Sequence, residues 1–502
     1  MLTMKKIQVY IVPICLLPLF VRGPALSAAS YDPQDVAARI QRVEHGLIPN
    51  PGIIVKGQPP SKAGLVERMK VYRVPGLSIA VINEYGIEWE EGYGIRESGG
   101  TGPVTPETLF QAASISKPVA AATALYYVEK GILGLDEDIN SRLRSWKIPE
   151  NAWTRKGKVT LRELLSHTAG LTVSGFPGYA EGKELPSLKQ ILDGVKPVNT
   201  PPIKVDIEIG SSFRYAGGGY TVLQQLLIDV LGRPFPYIVR DAVLIKLDMS
   251  QSTYEQPLPQ ALSGRAASGH RPDGSVLPGK WHIYPEMAAA GLWTTPTDLA
   301  LFAREIMLAK EGKSDRILSQ VIVELMLTPI KEGAGLGLFV KGNGRDFQFS
   351  HSGGNEGFRC YMMAYPKRGQ GAVIMTNSDL GGDLLPEILR SLSAEYNWPD
   401  FKPVEKEAAT VAGSELEALA GTYKFTPVDR IKITVGNGCL FADPVFVPPD
   451  GKASCVFFPE SPLSFFSTET DVTLTFAKNA QGQVTGLNWR RGENQRKALR
   501  IK

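Results

Sequence analysis

Ser114 and Lys117 stand in the stretch Phe110-Gln-Ala-Ala-Ser114-Ile-Ser-Lys117-Pro-Val119, which holds the single Ser-x-x-Lys spacing of the chain. An Ala-rich apolar run, Val119–Val128, follows at once. Pro118 suits a helix only in its first turn, so Ser114 is expected at or just before a helix N-terminus. Three residues apart on a helical turn, the two side chains share a face. A serine hydroxyl is a poor nucleophile until a base accepts its proton. Lysine serves as that base when its amine loses affinity for the proton. The positive end of a helix disfavours the ammonium form and supports a developing alkoxide. Alone, the spacing is better read as an ordinary helix start with Ser114 as its cap.

Two further clusters carry polar groups on Gly-rich backbone. Arg214-Tyr215-Ala-Gly217-Gly-Gly-Tyr220 precedes the helical run Thr221–Leu231. A tyrosine on such a turn can be held in a cleft and act as general base, as phenolate or sharing a proton with the lysine. Its plainer reading is a packing tyrosine beside a flexible loop. Ser350-His351-Ser352-Gly353-Gly354-Asn-Glu-Gly357 follows an expected strand. Paired glycines at a strand edge let a backbone N–H approach a substrate carbonyl, as an oxyanion hole requires. Its plainer reading is a tight turn with a surface histidine. There is no CxxC, no HExxH and no close pair among the five histidines, so the sequence supports no metal or cofactor site. The absence of GxSxG and of βαβ alternation around Ser114 disfavours an α/β-hydrolase.

The elements that must position these residues can be read in outline. Leu77–Ile82, a turn at Asn83–Gly86 and Ile87–Gly94 read as a hairpin. Residues 106–285 read as mostly helical, broken by Gly/Pro loops, with a capping box at Thr160-Leu-Arg-Glu163. A helix is expected from Thr295-Pro296 to Lys310. Leu336–Val340, Phe347–Ser350, Phe358–Tyr365 and Ala372–Thr376 read as strands, and Leu384–Tyr396 as a closing helix. The fold class is therefore α+β: an antiparallel sheet built from about 70–100 and 330–380, flanked by helices, with an all-helical insertion at about 106–285. A Pro- and charge-rich linker, 399–411, leads to residues 412–502, where alternation and Gly-rich turns point to a small β-barrel or sandwich.

With 502 residues, 43% hydrophobic and 21% charged, the chain is an ordinary globular protein rather than a disordered or fibrous one. Lys5 and Lys6, an apolar run from Ile7 to Phe20 and the small residues Ala25, Ser27, Ala28 and Ala29 have the order of a secretory signal peptide over 1–29. Secretion or a periplasmic location is expected, with no stable membrane span after cleavage. The net charge is +4, and three of those charges (Lys5, Lys6 and Arg22) fall in that segment. The near-neutral remainder makes no electrostatic case for nucleic acid or anionic membrane. Cys360, Cys439 and Cys455 would remain, as buried free thiols or with Cys439 and Cys455 bridged.

Together, the three clusters in this order resemble the serine β-lactamase and penicillin-binding-protein superfamily. The likeness is to its branch of class C β-lactamases, D-stereospecific peptidases and family VIII carboxylesterases. Val74–Val81, Leu161–Leu171 and Ala290–Asp298 resemble further landmarks, so the likeness covers roughly 65–396 within a hydrolase domain of 30–398. The last unit, opening with Leu419-Ala-Gly-Thr-Tyr423, resembles an appended lipocalin-like barrel. The resemblance implies that Ser114 is acylated, that Lys117 activates it, and that Tyr215 relays the proton and helps to activate water. It implies an oxyanion hole from the N–H groups of Ser114 and Gly354. It places His351 and Gly353 in the third, substrate-binding motif. Two departures stand out. Gly217 takes the place of an asparagine whose amide typically holds an acylamido group, and His351 replaces a lysine. Both favour an esterase or D-amino-acid peptidase over a β-lactamase or penicillin-binding protein. A binding or sensing protein with weak turnover is the third alternative. In each case the partner is a small ester, peptide or β-lactam.

Overall fold

The computed structural model describes residues 31–443 and 454–501. The expected signal segment, 1–29, lies outside the described residues. Six antiparallel strands form the central sheet: β1 (Gly76–Asn83), β2 (Gly86–Gly94), β3 (Phe339–Lys341), β4 (Gln348–Asn355), β5 (Phe358–Tyr365) and β6 (Gln370–Thr376), in the order β2-β1-β6-β5-β4-β3. Both ends of the larger unit thus meet in one sheet, β1 pairing with β6 in the register Ile79↔Ile374.

Its inner strands read as continuous apolar runs because both faces are buried. Ile79, Val81, Met363 and Ile374 face one core with Leu384, Ile388 and Leu392 of the closing helix, Gly381–Tyr396. Ala80, Ile82, Met362 and Val373 face the other core, with Phe302 and Ile306 of the helix Pro296–Lys310. That helix starts where expected, Thr295 accepting from the Asp298 N–H, and the capping box of Thr160 and Glu163 is present.

The helix Ser116–Glu129 runs through the larger core, buried from Ser116 to Leu125. Its small alanines let neighbouring backbone approach from every side. Phe110–Gln111 pairs with Trp293–Thr294 in a two-stranded ladder that the sequence pattern did not suggest. The insertion at 106–285 is less helical than expected. Between the long helices Ser116–Glu129 and Gly217–Leu231 the helices are of four to six residues. Frequent prolines interrupt the pattern, and isolated bridges such as Leu171↔Val205 and Tyr179↔Ile283 take up the backbone groups instead.

Eight antiparallel strands between Gly421 and Arg500 close the C-terminal barrel. Its interior is filled by Tyr423, Leu440, Phe457, Phe465 and Leu474. Cys439 and Cys455 are not joined by a disulfide. The register pairs Ala442 with Cys455 and Leu440 with Phe457, so Cys439 sits three positions from Cys455's partner and on the opposite face, beyond disulfide reach. The stretch expected as a linker is anchored. Within it Val404–Lys406 pairs in parallel with Ile53–Val55, and just before it Trp398 is fully buried against Tyr396 and Tyr365. Trp398→Ala should therefore lower unfolding free energy by about 3–5 kcal/mol, the range for truncating a buried aromatic, measured by denaturant titration.

Candidate active site

The turn before the helix Ser116–Glu129 is shaped by its neighbours. Ala112 N–H donates to Leu292 O at 2.9 Å, Leu292 N–H to Ser116 Oγ at 3.0 Å, and Ser116 Oγ–H to Ala113 O at 2.5 Å. Ala113 is held at φ +50°, a left-handed conformation that costs an alanine about 1–3 kcal/mol. Ser114 follows in a single 3₁₀ turn, Ala113–Ile115, and is part-exposed while Ala113 and Ile115 beside it are buried. The strained turn thus lifts one hydroxyl out of a closed core.

Lys117 is buried, 2% exposed, one turn further on. Its Nζ donates to Ser114 Oγ at 2.9 Å and to Ala289 O at 2.8 Å. That carbonyl belongs to a short helix, Met287–Ala290, packed against the Ser114 turn. The Lys117 amine also lies 4.9 Å from the centroid of the Tyr215 ring and 5.8 Å from that of Tyr220. Ser114 and Lys117 are therefore brought together as their spacing suggested, and Tyr215 joins them as the resemblance implied.

Tyr215 is part-exposed at the entrance to the helix Gly217–Leu231. Its ring stacks between His167, at 4.3 Å, and Phe339, at 6.4 Å. His167 grips the backbone on both sides of this tyrosine. Its carbonyl accepts the Arg214 N–H at 2.9 Å, and its Nδ1 accepts the Ala216 N–H at 3.1 Å. His167 adopts φ +59° to do so. Its sequence stretch served only as a landmark. Nothing local marked it, nor Ala289, because their roles arise from contacts across 49 and 172 residues of chain.

His351 is not a surface histidine. It is 3% exposed, its ring 6.3 Å from Tyr215 and 5.5 Å from Phe339, with Nδ1 placed to donate to Ser352 O at 2.6 Å. Burial first, then the nearby Lys117, pushes its pKa down to about 3. The same two causes, joined by His351, hold His167 well below the ordinary imidazole value. Both rings are neutral at physiological pH, so position 351 offers no fixed positive charge.

Gly353 is buried against the Ser114 turn. A Cβ there would collide with Ala112 O and Cys360 Sγ, so only glycine lets β4 come this close. β3 covers β4 only over Gln348–Ser350. Beyond that point the described residues place no further strand along its outer edge, where Ser352 and Gly354 are exposed. Gly217 heads its helix with Phe176 and Ser174 filling the space beside it.

Comparison with known proteins bears on the family and the fold. The family model described as Beta-lactamase matches residues 63–392, and one described only as a domain of unknown function matches 405–501. Penicillin-binding protein 4 of Amycolatopsis lactamdurans is 25% identical over 374 residues, covering 70% of this chain and 94% of that protein. An octameric penicillin-binding protein homologue from Pyrococcus abyssi superposes with a TM-score of 0.59 at 21% identity, over 86% of this chain and 98% of that one. The D-amino acid amidase of Ochrobactrum anthropi SV3 does so with 0.53 at 20% identity, over 66% and 96%. At these identities the two solved structures speak for the fold.

Two outcomes follow. Between the unfolded imidazole value of 6.5 and about 3, the unfolded chain binds a proton at His351 that the native chain does not. Stability should fall as pH drops through that window, by about 1 kcal/mol per unit from this group. His351→Gln should flatten the fall in melting temperature between pH 7 and 5. Separately, His167→Leu should lower kcat at least ~10-fold by leaving the Ala216 N–H without its acceptor. His167→Asn, whose Oδ1 can take the place of Nδ1 and which tolerates φ > 0, should restore most of the rate. Steady-state kinetics checked against thermal melts would separate this from a general loss of stability.

Proposed function

This chain belongs to the β-lactamase family, and from that premise we propose that it is an exported serine hydrolase that works through an acyl-enzyme on Ser114. The observation that carries the reading is an accessible hydroxyl held 2.9 Å from a buried amine. With Lys117 as the free amine, its Nζ takes the Ser114 proton as Oγ attacks the carbonyl carbon. The N–H groups of Ser114 and Gly354, one at the lifted turn and one on the open edge of β4, would stabilise the oxyanion. Tyr215 then passes the proton to the leaving oxygen or nitrogen, and that bond breaks. Water attacks the resulting ester, giving its proton to the same Tyr215–Lys117 pair, and the acid leaves as Oγ is reprotonated.

The neutral His351 favours esters or amides without a carboxylate opposite it, of the carboxylesterase or D-amino-acid peptidase type. Acylation by β-lactams is the second reading, favoured by the relative named a penicillin-binding protein. Export rests on the charged, apolar and small-residue order of the first 29 residues.

Ser114→Ala should abolish hydrolysis of a nitrophenyl ester and the mass adduct formed with a phosphonate. Tyr215→Phe should lower turnover by at least ~100-fold, within the range for a general acid–base group. Retention of full activity by either variant would remove that residue from the mechanism.

A further inference from the structure

We propose that Phe176 sets acyl-group specificity, its ring replacing a side chain at position 217 and offering an apolar wall to acyl groups that carry no amide near the carbonyl. This deepens the acyl-enzyme reading and rests on it. Gly217 lies two residues after Tyr215, in the first turn of its helix. A Cβ built there would stand 2.9 Å from Phe176 Cε2 and 3.1 Å from Ser174 O. No larger side chain fits while Phe176 keeps its place. Gly217 is thus the complement of a neighbouring ring rather than a gap left by a lost amide.

The wall has little polarity to offer. The Gly217 N–H already donates to Ser174 O at 3.1 Å, and the Gly218 N–H to Val173 O at 2.9 Å. An amide pressed against it would lose water without gaining a partner, whereas alkyl or aryl groups gain by burial. The segment is also tied to the end of β4. Pro177 O accepts from Tyr284 Oη–H at 3.4 Å, and Tyr284 Oη accepts the Glu356 N–H at 3.1 Å, just past the end of β4. Phe176 thus packs on the first turn of the Gly217 helix and remains part-exposed, while its neighbour Pro177 is linked through Tyr284 to the end of the strand that carries His351 and Gly354.

The test compares nitrophenyl pentanoate with the nitrophenyl ester of N-acetylglycine, similar in length but with an amide in the acyl arm, each rate divided by that of spontaneous hydrolysis. Wild type should favour pentanoate at least ~10-fold in kcat/KM. Phe176→Ala should erase most of that preference, chiefly through KM on pentanoate. Gly217→Asn alone should lose activity on both esters. Combined with Phe176→Ala, it should move the ratio at least ~10-fold towards the acetylglycine ester. A wild-type ratio near one, a ratio unmoved by Phe176→Ala, or a fully active Gly217→Asn variant would overturn the inference. If intact mass shows no Ser114-dependent adduct with either ester or with a phosphonate, the acyl-enzyme reading itself fails and this inference with it.

Discussion

A buried lysine within hydrogen-bond reach of an accessible serine is the constraint on which the rest of this site turns. Taking an amine that can carry charge out of water is expensive unless polar groups meet it. Two oxygens meet Lys117: the hydroxyl of Ser114 and the carbonyl of Ala289. The first is the group it would deprotonate. The second is fixed by a short helix packed on the Ser114 turn, so the amine is aimed by backbone rather than by a flexible side chain. The aromatic faces of Tyr215 and Tyr220 fill the remaining space.

That amine also explains the state of its neighbours. Two imidazoles lie close to Lys117, and both are held neutral by burial and by its presence. A neutral His167 is able to accept a backbone N–H through Nδ1, which a doubly protonated ring could not. The same neutrality leaves position 351 without a permanent charge. One electrostatic condition thus steadies Tyr215 and narrows the substrates that suit the cleft.

Close approach of backbone to backbone is the second condition. Gly353 brings β4 against the Ser114 turn, and Ala113 accepts a strained φ to project the hydroxyl. Such strain persists only where surrounding packing over-determines it. Here the Phe110–Gln111 ladder and the bonds through Leu292 and Ser116 do so. Behind the sheet, the helix Gly381–Tyr396 and Trp398 complete a second core that fixes β1, β5 and β6 from the other side.

Local pattern was enough for much of this. The Ser-x-x-Lys spacing, Pro118 in the first turn and the alanine run placed Ser114 at a helix start, because each is a property of neighbouring residues. Hairpin turns, the capping box at Thr160 and the apolar runs of β1, β5 and β6 were legible for the same reason, as was alternation in the barrel. Contacts between distant segments were not. No local signal tells that Ala289 holds Lys117, that His167 clasps Tyr215, that Phe176 fills the space beside Gly217, or that the stretch after Trp398 is tied to Ile53–Val55. The resemblance placed His351 in a substrate-binding motif, but only its burial beside Tyr215 and Phe339 makes it a neutral ring. Sequence by itself determined which groups could react and the short-range geometry between them. Tertiary packing alone decided the orientation of those groups, the neutrality of His351 and His167 beside them and the shape of the wall they face, since those depend on desolvation and on neighbours that the chain supplies from far away.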